Sequence, residues 1–281
     1  MFSILRRPLA LCFEERTGNN ITKIQPPQVK KYIVSLLTLA CFAALPAIAQ
    51  EDKINADRPG RTLTPEIVEK GTLQAEIGFE KRQKQKGDLA FDHPEADLRY
   101  GLSKRFEIRA EFIGETQRYT TKNDFRKGMK PLELGFKAKL LEEKGAMPAV
   151  SFFTHVGIPK IASKDHQGKH FSPEIRLLFE NNLSDKLSLE YNVGPEWNDD
   201  QTTPQWFYSV APDLEVGEKF EIFLEVFGRL QKGGAPEHAI DCGLGYYPTR
   251  DIKLDVYGGA GLTKAAPDYF ISAGVSFRLK T

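Results

Sequence analysis

Ser151 and His155 place a hydroxyl and an imidazole four residues apart in Ser151-Phe152-Phe153-Thr154-His155, the residue types of a nucleophile and its base. The flanking positions alternate apolar and polar, so the stretch reads as a strand, in which residues i and i+4 lie about 13 Å apart at ~3.3 Å per residue. That is beyond hydrogen-bond reach, and nothing in the sequence points to a partner serine on a neighbouring strand. Asp165, His166 and His170 share one polar stretch and could gather a metal ion, but no fourth ligand or second-sphere pattern accompanies them, which favours a solvated loop. Gly258-Gly259-Ala260-Gly261 lies inside a strand pattern, where glycines ease curvature instead of cradling phosphate. The sequence therefore assigns no catalytic residue, no metal ligand and no cofactor.

The chemistry that does recur is charge at every second position. Glu76 and Glu80 alternate with Leu73, Ala75, Ile77 and Phe79. Asp97 and Arg99 alternate with Ala96, Leu98 and Tyr100, and Glu107, Arg109 and Glu111 with Phe106, Ile108, Ala110 and Phe112. Glu133, Lys137 and Lys139 alternate with Leu132, Leu134, Phe136 and Ala138, and Glu174 and Arg176 with Ile175, Leu177 and Phe179. Glu190, Glu225, Arg229, Asp255 and Arg278 hold the same position in later segments. A strand sends successive side chains to opposite faces, so each segment has one apolar and one charged face. The charged residues are the candidate lining of a lumen, and their mixed signs argue against strong ion selectivity.

The elements carrying them are long strands. Gln205 to Leu230 shows the pattern: two arms of about ten alternating residues joined by Gly217-Glu218-Lys219, a link short enough for a hairpin. Such arms exceed the usual ~5–6 residues and match the ~9–11 of a tilted transmembrane strand. The period-two test finds about twelve strands from Leu73 to Leu279 and no useful helical period. Every second connection is tight: Leu102 to Arg105, Glu142 to Ala146, Asn181 to Lys186, Gly217 to Lys219, Pro248 to Asp251. The intervening ones are longer and polar: Arg82 to His93, Gln117 to Lys130, Pro159 to Ser172, Asn198 to Pro204, Gln231 to Glu237, Thr263 to Asp268. Sorting of this kind predicts an all-β, transmembrane antiparallel barrel with short periplasmic turns and longer extracellular loops. Closure removes the edges that an open sheet would expose. Tyr100, Phe106, Trp197, Trp206, Tyr246 and Tyr269, near strand ends, fit interfacial girdles.

Upstream, Lys30-Lys31, the apolar run Tyr32 to Leu45 and Ala47-Ile48-Ala49 form a secretory signal. Residues 1–28 precede it and are too long for a basic n-region, so the expected translation start is Val29, just before Lys30-Lys31. Cleavage after Ala49 removes 49 of the 281 residues and leaves 33 basic against 36 acidic ones, with Cys242 as the remaining cysteine. No basic excess points to nucleic acid, and one cysteine gives no disulfide framework. The expected organisation is an upstream and signal segment over 1–49, a periplasmic N-terminal segment over 50–71 and the barrel over 72–281. Its expected partners are outer-membrane lipid, periplasmic chaperones and the barrel-assembly machinery, and an unidentified small-molecule solute.

Ala56-Asp57-Arg58-Pro59-Gly60-Arg61-Thr62, Thr64-Pro65 and Lys70-Gly71-Thr72-Leu73-Gln74-Ala75-Glu76-Ile77-Gly78-Phe79 resemble the opening of the outer-membrane transporters named for the MetA pathway of phenol degradation. Those chains often begin T-D-R-P-D-x-T-x-S-P and continue G-x-x-Q-x-E-x-G-F. Ala56 and Gly60 depart from the commoner Thr and Asp, and the chain ends Phe277-Arg278-Leu279-Lys280-Thr281 instead of on an aromatic. The resemblance implies an outer-membrane transporter or channel of a Gram-negative bacterium and says little about substrate.

Asp57 and Arg58 admit two readings: a plug folded into the barrel mouth and paired with lumen charges, or an ordered segment that only closes the base. About twelve strands lie between the ~8 that side chains fill and the ~16 that leave an aqueous channel. The expected function is passive transport of small solutes, without chemistry. Its rivals are a lipid-modifying hydrolase, a structural or adhesive barrel plugged by its own ion pairs, and a soluble periplasmic sandwich.

Overall fold

The computed structural model describes residues 53–84, 87–120, 123–200 and 202–280, so the basic and apolar run assigned to export lies outside the described residues. Thirteen strands follow in order: β1 (Thr72–Gln83), β2 (Leu89–Ser103), β3 (Phe106–Tyr119), β4 (Asp124–Met129), β5 (Leu132–Leu141), β6 (Ala149–Ile158), β7 (Ser172–Asn182), β8 (Leu187–Glu196), β9 (Gln205–Val216), β10 (Phe220–Gln231), β11 (Glu237–Thr249), β12 (Ile252–Gly261) and β13 (Tyr269–Lys280). All strand pairings are antiparallel, and β1 pairs with β13 from Thr72↔Lys280 to Gln83↔Tyr269, so the sheet closes.

Around the barrel there are twelve positions, because β4 and β5 are two pieces of one wall strand. β3 pairs with β5 through Phe106–Glu111 and with β4 through Gly114–Tyr119. The break falls at Lys130-Pro131, where proline removes a ladder donor. The twelve expected strands are all present, and the extra piece lies in the stretch Gln117 to Lys130 that the sequence assigns to a loop. The stretch Arg82 to His93 is likewise mostly strand, leaving only residues 84–88 between β1 and β2. β4 is exposed almost throughout, so both of its faces are wet and the alternation that reveals a strand disappears. β2 runs through Pro94 by a bulge between Asp92 and Glu95, a place where a strand tolerates proline.

The side-chain distribution is inside out. On β10, Phe220, Ile222, Leu224 and Val226 are exposed while Glu221, Phe223, Glu225 and Phe227 are buried. The same division runs round the wall, with Leu98, Ile108, Leu134, Val193, Leu254 and Ile271 on the outer surface. An apolar surface of that extent needs lipid, and no helix of the described residues is long and apolar enough to cross a membrane. Outward aromatics gather at the ends. Phe220 stacks on Tyr246 at 5.0 Å and Phe106 on Phe136 at 5.1 Å towards the short turns, and Trp206 and Tyr269 lie towards the long loops. Trp197 instead lines the loop-end cavity.

Candidate functional site: a lumen crossed by the N-terminal segment

Residues 53–71 bond to strands all round the inner wall. Their backbone has few partners of its own, so its amides and carbonyls are met by wall side chains. Asp57 and Arg58 amides donate to Glu76 of β1, at 3.2 and 2.9 Å. The Arg61 amide donates to Glu225 of β10 at 2.9 Å, and the Thr62 hydroxyl donates to the same carboxylate. Asn192 of β8 bonds Leu63 in both directions, at 2.7 and 2.9 Å, and Glu107 of β3 accepts from the Val68 amide at 2.7 Å. Lys253 of β12 donates to the Arg58 carbonyl at 2.7 Å, and Ser151 of β6 donates to the Pro65 carbonyl.

Asp57, Arg58 and Arg61 add ion pairs at the middle of the segment, and Lys53, Glu66 and Glu69 add others nearer its ends. Asp57 points at β2, β3 and β5: Arg109 Nη1 is 2.6 Å from its carboxylate, Lys137 Nζ 3.0 Å from both oxygens and Arg99 Nη1 3.4 Å away. Burial alone would raise the Asp57 carboxyl, but the surrounding Arg99, Lys137 and Arg109 charges outweigh it and hold the group well below the usual carboxylate range. Arg58 points the other way, with Nη2 donating to Asp255 at 3.0 Å and to Ser272 at 2.9 Å. Its guanidinium occupies space left by Gly78 and Gly274, which face each other on β1 and β13. A Cβ on either would come within 2.2 or 2.5 Å of Arg58. Arg61 reaches Glu80 at 2.7 Å and lies over the Phe270 ring. Burial would lower both guanidinium groups, yet Asp255 beside Arg58 and Glu80 beside Arg61 raise them above their ordinary value.

The segment divides the lumen. A cavity of about 580 Å³ at the turn end is lined by Glu180, Glu190, Asp213, Glu221, Lys253 and Arg278 among others. One of about 720 Å³ at the loop end is lined by Arg82, Glu111, Glu133, His155, Arg176 and Arg229 among others. Asp57 and Arg58 line both, so they mark the partition.

The structure places all the candidate lumen residues on the inward parity. Glu76, Glu80, Asp97, Arg99, Glu107, Arg109, Lys137, Glu225 and Asp255 gather at the partition, where Arg99 bonds Glu76 at 2.7 Å and Glu107 at 2.9 Å, and Arg109 pairs with Asp97. Glu111, Arg176 and Arg229 belong to the loop-end cavity, and Glu190 and Arg278 to the turn-end one. Ser151 and His155 do not meet: the serine serves the N-terminal segment, and the imidazole lies between Glu133 and Glu174 at 2.9 and 2.8 Å. Asp165, His166 and His170 do not form a metal-ligating group among the described residues. Residues that the sequence did not single out include Phe207, Phe223, Phe227, Tyr257 and Phe270, an inward aromatic cluster on β9 to β13. Phe223 and Phe227 share the parity of Glu221 and Glu225, and that placement was the available signal.

A family model described as MetA-pathway of phenol degradation matches residues 56–279, and the chain belongs to that family. None of the curated proteins matches the sequence. Among solved structures, the COG4313 outer membrane channel from Pseudomonas putida F1 superposes with a TM-score of 0.62 at 11% identity, covering 79% of this chain and 99% of that one. The NanC porin gives a TM-score of 0.50 at 10% identity, covering 74% of this chain and 100% of that one. The shared fold is that of an outer-membrane β-barrel.

Proposed function

We propose that this member of the phenol-degradation MetA-pathway family is a passive outer-membrane channel for small solutes, with its N-terminal segment as the constriction. The observation that carries the reading is the pair of cavities of about 580 and 720 Å³, one at each end of the barrel and both bounded by Asp57 and Arg58. A solute moving down its gradient would cross the turn-end chamber, the partition and the loop-end chamber past fixed hydrogen-bonding groups. No proton or electron transfer is required of any residue. Residues 30–49 act as the export signal, so the working chain starts at Gln50, and periplasmic chaperones and the barrel-assembly machinery deliver it to the membrane. N-terminal sequencing of protein from outer membranes tests that start.

The number of anchors on residues 53–71 also favours a second reading, in which the partition stays shut and the barrel is structural. Single-channel recording on protein refolded into planar bilayers, after a heat-modifiable gel shift has shown a folded barrel, separates the two. Discrete steps in conductance are expected. A folded barrel that passes no current overturns the channel reading in favour of the plugged one.

A further inference from the structure

Glu111 of β3 and Glu133 of β5 stand directly opposite each other on the inner wall, an arrangement of like charges that adjacent strands ordinarily avoid. Neither carboxylate has a Lys or Arg ion pair among the described residues. Arg109, the nearest guanidinium along β3, is taken by Asp57 and Asp97, and Arg176 on β7 is paired with Glu174. The group that does approach them is His155 of β6, whose Nδ1 lies 2.9 Å from Glu133 and 3.8 Å from Glu111.

The imidazole is held in that attitude by two features outside the acidic pair. Its Nε2 is 2.8 Å from Glu174 on β7, which leaves Nδ1 turned towards Glu133 and Glu111. Gly135, the residue across from His155 on β5, provides the room. A Cβ there would lie 2.7 Å from His155 Cβ and 2.2 Å from the Thr154 carbonyl. One nitrogen and two carboxylate oxygens thus converge, all within 4.8 Å of one another. Bonds of ~2.0–2.2 Å to a common ion require donors within about 4.3 Å, and both nitrogen–oxygen approaches, 2.9 and 3.8 Å, meet that. A histidine that offers one nitrogen to a metal and gives its other N–H to a carboxylate is the usual outer-sphere arrangement of protein metal sites.

We propose that Glu111, Glu133 and His155 form a binding site for a divalent transition-metal ion of the zinc type on the wall of the loop-end cavity. The donor set of one imidazole and two carboxylates suits a borderline ion and leaves further positions for water. A dication with neutral His155 balances the two glutamates. Glu174 is a positioning residue for the imidazole and does not touch the ion. The proposal does not depend on conduction, since a plugged barrel would hold the same site.

The test is titration of the folded full-length protein in detergent with zinc alone, followed by isothermal calorimetry. One ion per barrel is expected. Glu133→Gln combined with His155→Ala should abolish binding, and Glu174→Gln should weaken it by roughly ten- to a hundredfold. His170→Ala, in the polar loop, should leave it unchanged. The gel shift reports whether each variant folds. Glu111→Gln keeps the test decisive if the double variant does not, because the Glu111 carboxylate makes only the long approach to His155, and this change should also weaken binding at least tenfold. Absence of zinc binding, or binding that survives Glu111→Gln and Glu133→Gln unaltered, overturns the site.

Discussion

The two sides of the lumen grip the same segment by different means. β2, β3 and β5 offer Arg99, Arg109 and Lys137 to the segment's Asp57, with Lys139 of β5 on Glu66 beside them. β10 to β13 with β1 offer aromatic faces, carboxylates and a glycine gap, and the segment answers with the cations Arg58 and Arg61. On the first side, recognition rests on charge that has been taken out of water. On the second, shape carries a large share, because Arg58 fits only where Gly78 and Gly274 lack side chains. Buried ion pairs contribute little net stability when whole, and losing one partner is costly. The contrast therefore predicts unequal tolerance of mutation on the two sides.

The sharpest break in the comparison is Asp57→Asn. It takes from Lys137 its carboxylate partner and leaves Arg109 to Asp97, and removing one member of a buried pair costs about 3–5 kcal/mol. The expected result is release of the segment, read as a larger single-channel conductance and as protease cleavage within residues 53–71, with the barrel gel shift retained. An unchanged conductance would show that the basic side does not hold the segment.

Gly274→Val tests the other side. Its first side-chain atom would lie where the Arg58 guanidinium now sits, and overpacking of this type costs ~1–3 kcal/mol. The segment should loosen less than with Asp57→Asn, and pairing the change with Arg58→Ala should restore the packing without restoring the ion pair to Asp255. A Gly274→Val barrel as resistant to protease as the parent would remove shape from the account.

Acidification gives the smallest effect. Asp57 is held below the ordinary carboxylate range when the segment is seated, so its contribution is complete above about pH 4 and declines as pH falls below that value. At pH 3 a released Asp57 is mostly protonated while a seated one is not, which lowers the seating free energy by about 1 kcal/mol. Conductance should rise over that window in the parent and be less pH-dependent in Asp57→Asn; a pH response of equal size in both would place the titration elsewhere.

Much of this was legible in the residues before the fold was known. Period-two alternation located all twelve wall strands and put Glu76, Arg99, Glu107 and Lys137 on one face, because a half-lipid, half-water strand must alternate. What alternation could not show was β4, where lipid contact has ended and every face is wet. Nor could it show which charges meet. Asp57 is 80 residues from Lys137 and 52 from Arg109, and such pairings are set by barrel closure. Asp57-Arg58 was recognisable as a candidate plug, but its proline-flanked sequence fits a base-closing turn equally well. The carboxylate and imidazole group at Glu111, Glu133 and His155 was dispersed for the same reason, with each donor on a separate strand.

The bond from Arg58 to Ser272 joins residues 214 positions apart, and the bond from Arg58 to Asp255 joins residues 197 apart. The segment that emerges first in the described chain thus finds some of its partners on the last two strands, β12 and β13. Contacts of such sequence separation form late, since a loop of that length must close before they contribute. Complete seating of the N-terminal segment therefore requires the two strands that also seal the β1–β13 seam. A barrel halted before its last hairpin would have an open wall and would leave Arg58 without Asp255 and Ser272.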